Sequence, residues 1–165
     1  MANSTIVLTL KNKIINAICD DPDIDTLIDS SKYHGKQLKG KHIFNYNKNP
    51  DTITETITFL TVMTDISSRD RNGTFVTATL SIYIYTHNGH MELPPDYLKS
   101  EEYFNRNDYL SFLIDEKLNG SMDYGGFGKL TLIKNSEFVA SKDFNGRQLI
   151  FSITDINDSL CNRGD

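Results

Sequence analysis

The chain has 165 residues, 38% hydrophobic and 24% charged, with nine Phe and eight Tyr, the composition of an ordinary globular domain and not of a disordered or fibrous chain. A net charge of −5 and a pI near 5.3 argue against a protein that grips nucleic acid over a broad face, because such binding draws on clustered Lys and Arg. Two cysteines exclude a disulfide framework, and no uncharged apolar run approaches the ~20 residues of a membrane span.

Apolar residues Ile6, Val7, Leu10, Ile14, Ile15 and Ile18 recur at helical spacing. They predict a first helix over about residues 5–19, with Ser4 as N-cap and Cys19 a reduced thiol on its apolar side. Lys11 and Lys13 interrupt the apolar residues and no basic region precedes them, so this end does not read as a signal peptide. In DDPDIDTLID, Asp21 is placed to cap a second, short helix, with Pro22 in its first turn and Ile24, Leu27 and Ile28 as its apolar side. Residues 30–50 are rich in Gly, Lys, Asn and His and predict connection, with one brief strand in HIFNY.

From Thr52 the period changes to two. TETITFLTVMTDIS reads as a strand. FVTATLSIYIYT is another, with Val76, Ala78, Leu80, Ile82 and Ile84 on one face and Thr77, Thr79, Ser81, Tyr83 and Tyr85 on the other. Asn72-Gly73 predicts a hairpin turn between them, so the two strands are antiparallel neighbours joined by a charged tip, Arg69, Asp70 and Arg71. After a loop broken by Pro94 and Pro95, Leu110, Leu113, Ile114 and Leu118 predict a third helix, capped by Asn107 at its start and Gly120 at its end. KLTLIKNSEFVAS and RQLIFSITDIN predict a last strand pair, linked through KDFNG by a second Asn-Gly turn. The expected fold class is α+β: an antiparallel (mixed) sheet of about four to five strands with helices on one face. Residues 1–165 are expected to form a single domain, with flexible ends at 1–4 and 158–165.

Gly120, Gly125, Gly126 and Gly128 come after a helix and before a strand, the reverse of a phosphate loop, and no Gly-Lys-Ser or Gly-Lys-Thr accompanies them. Asp21, Asp23 and Asp25 match the first positions of a calcium loop, but Thr26 stands where glycine is needed and Lys32 where glutamate is. His87 and His90 flank a turn without a third zinc ligand at usual spacing, and Gly-x-Ser-x-Gly is absent. The closing Arg-Gly-Asp, Arg163 to Asp165, and four Asn-x-Ser/Thr sequons read as chance occurrences in a chain without marks of secretion. No catalytic residue, cofactor or metal is assigned. Two readings of Phe75, Tyr83 and Tyr85 stay open: an outer sheet face covered by another subunit, or isolated residues lying at the surface or under the third helix.

The order of elements, together with Arg-x-Asp ahead of FLIDEKLNG, a Gly-x-Gly-x-Leu bend and a closing Gly-Arg-x-Leu-x-Phe strand, resembles the tail terminator (tail-completion, minor tail) proteins of long-tailed bacteriophages over about residues 5–157. The resemblance implies a non-enzymatic virion protein at the head-tail junction, a hexameric ring that caps the tail tube protein, stops its polymerisation and receives the head-completion or neck protein. DNA would pass through the lumen unbound, past an acidic wall, and no membrane would be involved. In such a ring, Arg69, Asp70 and Arg71 are expected to make subunit or tube contacts, Arg106 and Asp108 to tie the third helix to a neighbour, and Tyr83 and Tyr85 to lie under another subunit. A head-completion or neck connector is the alternative within a virion; a small cytosolic enzyme or ligand-binding module is the alternative outside it.

Overall fold

The computed structural model describes residues 3–69, 71–72, 75–97, 103–124 and 128–156. Helices α1 (Asn3–Cys19), α2 (Pro22–Ile28) and α3 (Arg106–Leu118) accompany strands β1 (Ile43–Phe44), β2 (Thr58–Arg69), β3 (Phe75–His87), β4 (Thr131–Val139) and β5 (Phe144–Ile156). The strands form one mixed sheet in the order β1-β2-β3-β5-β4, with β1 parallel to β2 and every other pair antiparallel. This is the α+β class the sequence predicts.

Strand alternation sorts the sheet into two faces. On the helix face, cross-strand rows run Val62-Ile82-Leu149, Thr64-Leu80-Phe151 and Ile66-Ala78-Ile153. Their buried members meet Leu10, Ile14 and Ile18 of α1 and Leu110, Ile114 and Leu118 of α3 in the main core. Each fully buried Leu or Ile contributes roughly 1.5–3 kcal/mol, so this layer dominates stability. At the end of the sheet nearest the start of β2 the same face turns polar, through Thr58, Thr86 and Asn145. That row receives the first turn of α3.

The opposite face carries a second apolar cluster at that same end. Phe59, Tyr85, Phe144 and Phe44 form a second, smaller core, supported by Ile53, Ile57, Tyr83 and Phe138. The segment after β1, including a 3-10 turn at Pro50–Thr52, supplies Ile53 and Ile57 to this cluster. TETITFLTVMTDIS is therefore a strand only from Thr58 on; its first part serves as cover for the outer face.

Three local expectations are corrected. Ser4 lies within α1, which begins at Asn3. The N-cap of α3 is Asn105, not Asn107: the Asn105 side chain accepts from the Asp108 N–H while the Asp108 carboxylate accepts from the Asn105 N–H, a reciprocal box. Asn145-Gly146 is not a turn but lies inside β5, and the chain reverses through residues 140–143, where the Ala140 and Ser141 N–H groups both donate to the Phe144 carbonyl. Gly146 is glycine for another reason. It pairs with Phe138, whose ring lies across it so closely that an added Cβ would stand 2.4 Å from Cζ.

Candidate interaction surfaces

The first turn of α3 was expected to reach outward, and it reaches inward. Arg106 is only 3% exposed. Its Nε donates to the His90 carbonyl at 2.7 Å, Nη2 to Glu92 at 2.9 Å and Nη1 to Leu27, while the Asp29 carboxylate stands 3.8 Å away. Burial lowers its pKa from the ordinary arginine value, opposed by Asp29, and the guanidinium is held by carbonyl oxygens. The side chain ties α3 to the end of α2 and to the loop after β3, so it has no surface left to offer a neighbouring subunit.

Asp108 is likewise engaged within the chain. Besides closing the capping box, it accepts from Arg147 Nη2 of β5 at 2.5 Å, and Arg147 also reaches Glu137 at 3.0 Å and Asn135 at 2.8 Å. The sequence reading passed over Arg147 as part of a strand motif. Its signal was the break in apolar alternation before Leu149, a charge on the helix-facing side of a strand.

Asn107 begins a chain of hydrogen bonds that reaches the surface. Its Nδ2 donates to the Asn145 carbonyl at 3.2 Å, which leaves Oδ1 to accept from Thr86 Oγ1 at 2.7 Å. Thr86, having given its proton, accepts from the Thr58 hydroxyl 3.0 Å away, and Thr58 then accepts from His90 Nδ1–H at 2.9 Å. Nε2 of the same ring stands 3.4 Å from an Asp29 carboxylate oxygen, a contact that becomes a hydrogen bond when the ring takes up a proton. Burial, with Arg106 beside it, keeps the His90 pKa below the ordinary histidine value despite Asp29. The sequence Asp29, His90, Thr58 has the composition of a nucleophilic relay, yet Thr58 is fully buried and out of reach of a substrate.

Two of the three aspartates weighed as calcium ligands have partners within the chain. Asp21 Oδ1 accepts from the Asp23 and Ile24 N–H groups and Oδ2 pairs with Lys117 at 2.8 Å, while Asp25 accepts from the Gly35 N–H and contacts His34. His87 accepts from the Gly89 N–H and so caps its own turn. Among the described residues no three His, Cys, Asp or Glu side chains are gathered to hold a metal ion. At the glycine-rich bend, Gly120 takes a positive φ of 78° and donates to the Leu130 carbonyl, which stitches the exit of α3 to the approach to β4.

Of the aromatic face, Tyr85 is 6% exposed and stacks on Phe59 at 4.8 Å between ring centroids. Phe138 of β4 stands edge-on to it at 5.9 Å, and Ile53 and Ile57 of the segment after β1 pack on the same cluster, so the ring is covered within the chain. Tyr83 is half-buried, packs edge-on to Phe138 at 5.9 Å and accepts from Gln148 Nε2. Phe75 is exposed near the hairpin turn. There Arg71 and Asn72 are also exposed, five residues of β2 beyond Thr64, whose Oγ1 donates to the Val7 carbonyl of α1. Asp70, Gly73, Thr74, the side chains of Ser4 and Arg69, Gly125 to Phe127, Cys161 and the Arg163–Asp165 triplet lie outside the described residues. At the far edge of the sheet, β4 has no second strand partner among the described residues, and it leaves Ile133 and Val139 exposed.

Comparison with known proteins gives a match to the YomW family over residues 3–153, nearly the whole of the fold described above. This chain belongs to the YomW family. The YomW family is phage-derived, which makes this a phage-associated protein. The matched span takes in α1 through most of β5, so the Arg106 and Asp108 contacts and the open β4 edge all fall within the YomW region. No curated protein matches the chain. Among the described residues, no helix is long and apolar enough to cross a membrane.

Proposed function

We propose that this YomW protein is a structural tail terminator: a non-enzymatic subunit of a hexameric ring that caps the phage tail tube, stops its growth and presents the surface to which the neck of the head docks. The observation that carries the reading is the meeting of two of the three sequence motifs on which the resemblance rests. The Arg-x-Asp turn of α3 and the Gly-Arg strand β5 lock together through Asp108 and Arg147 at 2.5 Å, with Phe138 filling the space over Gly146. Residues far apart in sequence thus act as one fold signature, which supports reading them as marks of a common architecture.

A closed ring needs two different, mutually complementary patches, because a heterologous contact uses one side of each subunit against the other side of the next. The open β4 edge, with exposed Ile133 and Val139, supplies one such side. The hairpin end with Arg71 supplies a charged element for the tube or the neighbouring subunit, and the acidic whole lets DNA slide through the lumen without adhering.

The test is electron microscopy of particles assembled without this protein, scored for tail length. Overlong or headless tails are expected. Normal tails on leaking heads would move the protein to the head-completion side, and intact particles would overturn any role in joining head and tail.

A further inference from the structure

Residues 30–50 hold five lysines and no aspartate or glutamate, although the whole chain has a net charge of −5. The rest of the molecule therefore carries twice the net negative charge of the whole, and the basic segment stands alone in an acidic field. The fold gathers three of these lysines, Lys32, Lys41 and Lys48, at an open cleft of about 820 Å³ between the end of α2, β1 and the segment that follows it.

The cleft is built for more than a solvated charge run. Lys41 Nζ lies 5.6 Å from the Tyr33 ring centre and Lys48 Nζ 5.7 Å from that of Phe44, so both ammonium groups are steered by aromatic faces. Among the described residues none of the three lysines has a carboxylate partner. Phe44, Ile53 and Ile57 line the same cleft and belong to the outer-face aromatic cluster, so the cations stand above apolar surface. Of the two carboxylates in the wall, Asp29 already faces His90 and Arg106, which leaves Glu55 against the three cations.

We propose that this cleft binds an extended acidic segment of a partner protein, with carboxylates on Lys32, Lys41 and Lys48 and apolar side chains on Phe44, Ile53 and Ile57. The inference goes beyond the tail-capping reading and does not depend on it. A peptide that alternates acidic and apolar residues matches both chemistries of the cleft. A DNA duplex matches only the charge, would meet Glu55, and would bring a dense row of phosphates against an otherwise acidic surface.

The probe is a short fluorescein-labelled peptide of repeating Glu-Glu-Leu, followed by anisotropy at low and moderate salt against the full chain. Saturable, salt-sensitive binding is expected, weakened at least about tenfold by the double change Lys41→Glu and Lys48→Glu. Lys32→Glu alone should weaken it less, and Lys36→Glu, outside the cleft, should leave it unchanged. All four side chains lie at the surface or partly so, and thermal melts of each variant check folding. No binding, equal binding of the Gln-Gln-Leu peptide, an equal loss in Lys36→Glu, or tighter binding of a labelled DNA duplex would each overturn the proposal.

Discussion

The Arg106 guanidinium donates to the carbonyl of Leu27, 79 residues earlier in the chain, and so closes the end of α2 onto the start of α3. Hydrogen bonds to a charged donor contribute about 1.5–3 kcal/mol each, and a buried acceptor left bare costs about as much as the bond was worth. Arg106→Met should therefore destabilise the fold by about 3 kcal/mol or more, and Arg106→Lys, whose single ammonium cannot span three carbonyls, by about 2 kcal/mol. Urea unfolding measures both as a lowered midpoint at unchanged slope. A loss below about 1 kcal/mol for Arg106→Met would mean that water replaces the guanidinium.

Asp21 does two jobs at the start of α2, with one oxygen capping and the other on Lys117. Burial alone would raise its pKa, but the Lys117 ammonium and the Ile24 and Asp23 N–H groups outweigh it and hold the carboxyl below its ordinary value. Its contribution is therefore complete above about pH 4 and is lost as the pH falls through the lower folded value. Asp21→Ala should cost about 1–2 kcal/mol, and Asp21→Asn, which keeps an oxygen for the cap, less than about 1 kcal/mol. Thermal melts between pH 7 and 3 (roughly the carboxylate range) should show a shallower acid decline in Asp21→Asn than in the parent chain.

His90 sets a second pH window. A histidine whose folded pKa lies below its unfolded value of about 6.5 is preferred neutral in the fold. Stability is then complete above that value and falls as the pH drops, because the unfolded chain takes up its proton first. His90→Asn retains a donor toward Thr58 and removes the titration. Melting temperatures of the parent should fall more steeply than those of His90→Asn as the pH drops below about 6.5, and parallel curves would refute the assignment.

Gly146→Ala tests the close approach of Phe138. The new methyl would collide with a ring that already packs edge-on against Tyr83 and Tyr85, and overpacking of this kind costs about 1–3 kcal/mol. Phe138→Leu in the same chain should recover part of that loss, a coupling of about 0.5 kcal/mol or more in a double-mutant cycle by urea unfolding. Strict additivity of the two changes would place the strain elsewhere.

Much of this architecture is legible in the sequence because it depends on local periodicity and punctuation. The spacing of Leu10, Ile14 and Ile18 follows one helical stripe, the alternation from Val76 to Ile84 describes a strand with one buried face, and Asp21 followed by Pro22 marks a helix start. Each signal lies within a few residues of the structure it specifies. Asn145-Gly146 carried a local turn signal that was overridden, because the site opposite Phe138 needs a residue without a side chain.

What the sequence by itself determined is the class of fold, the one-sided helical layer and the acidic, phage-like character of the chain. The tertiary structure decided where the charges and aromatics went. Arg106 and Asp108 turned inward because carbonyls of α2 and the β3 exit, and Arg147 of β5, converge there from positions far apart in the chain. The Tyr85 cluster was covered because Phe138 of β4 and the segment after β1 close over the outer face, and Lys32, Lys41 and Lys48 came to one cleft by the path of that same segment. Periodicity fixes which side of an element is apolar; only the packing of distant elements fixes what meets that side and which polar groups are left facing solvent.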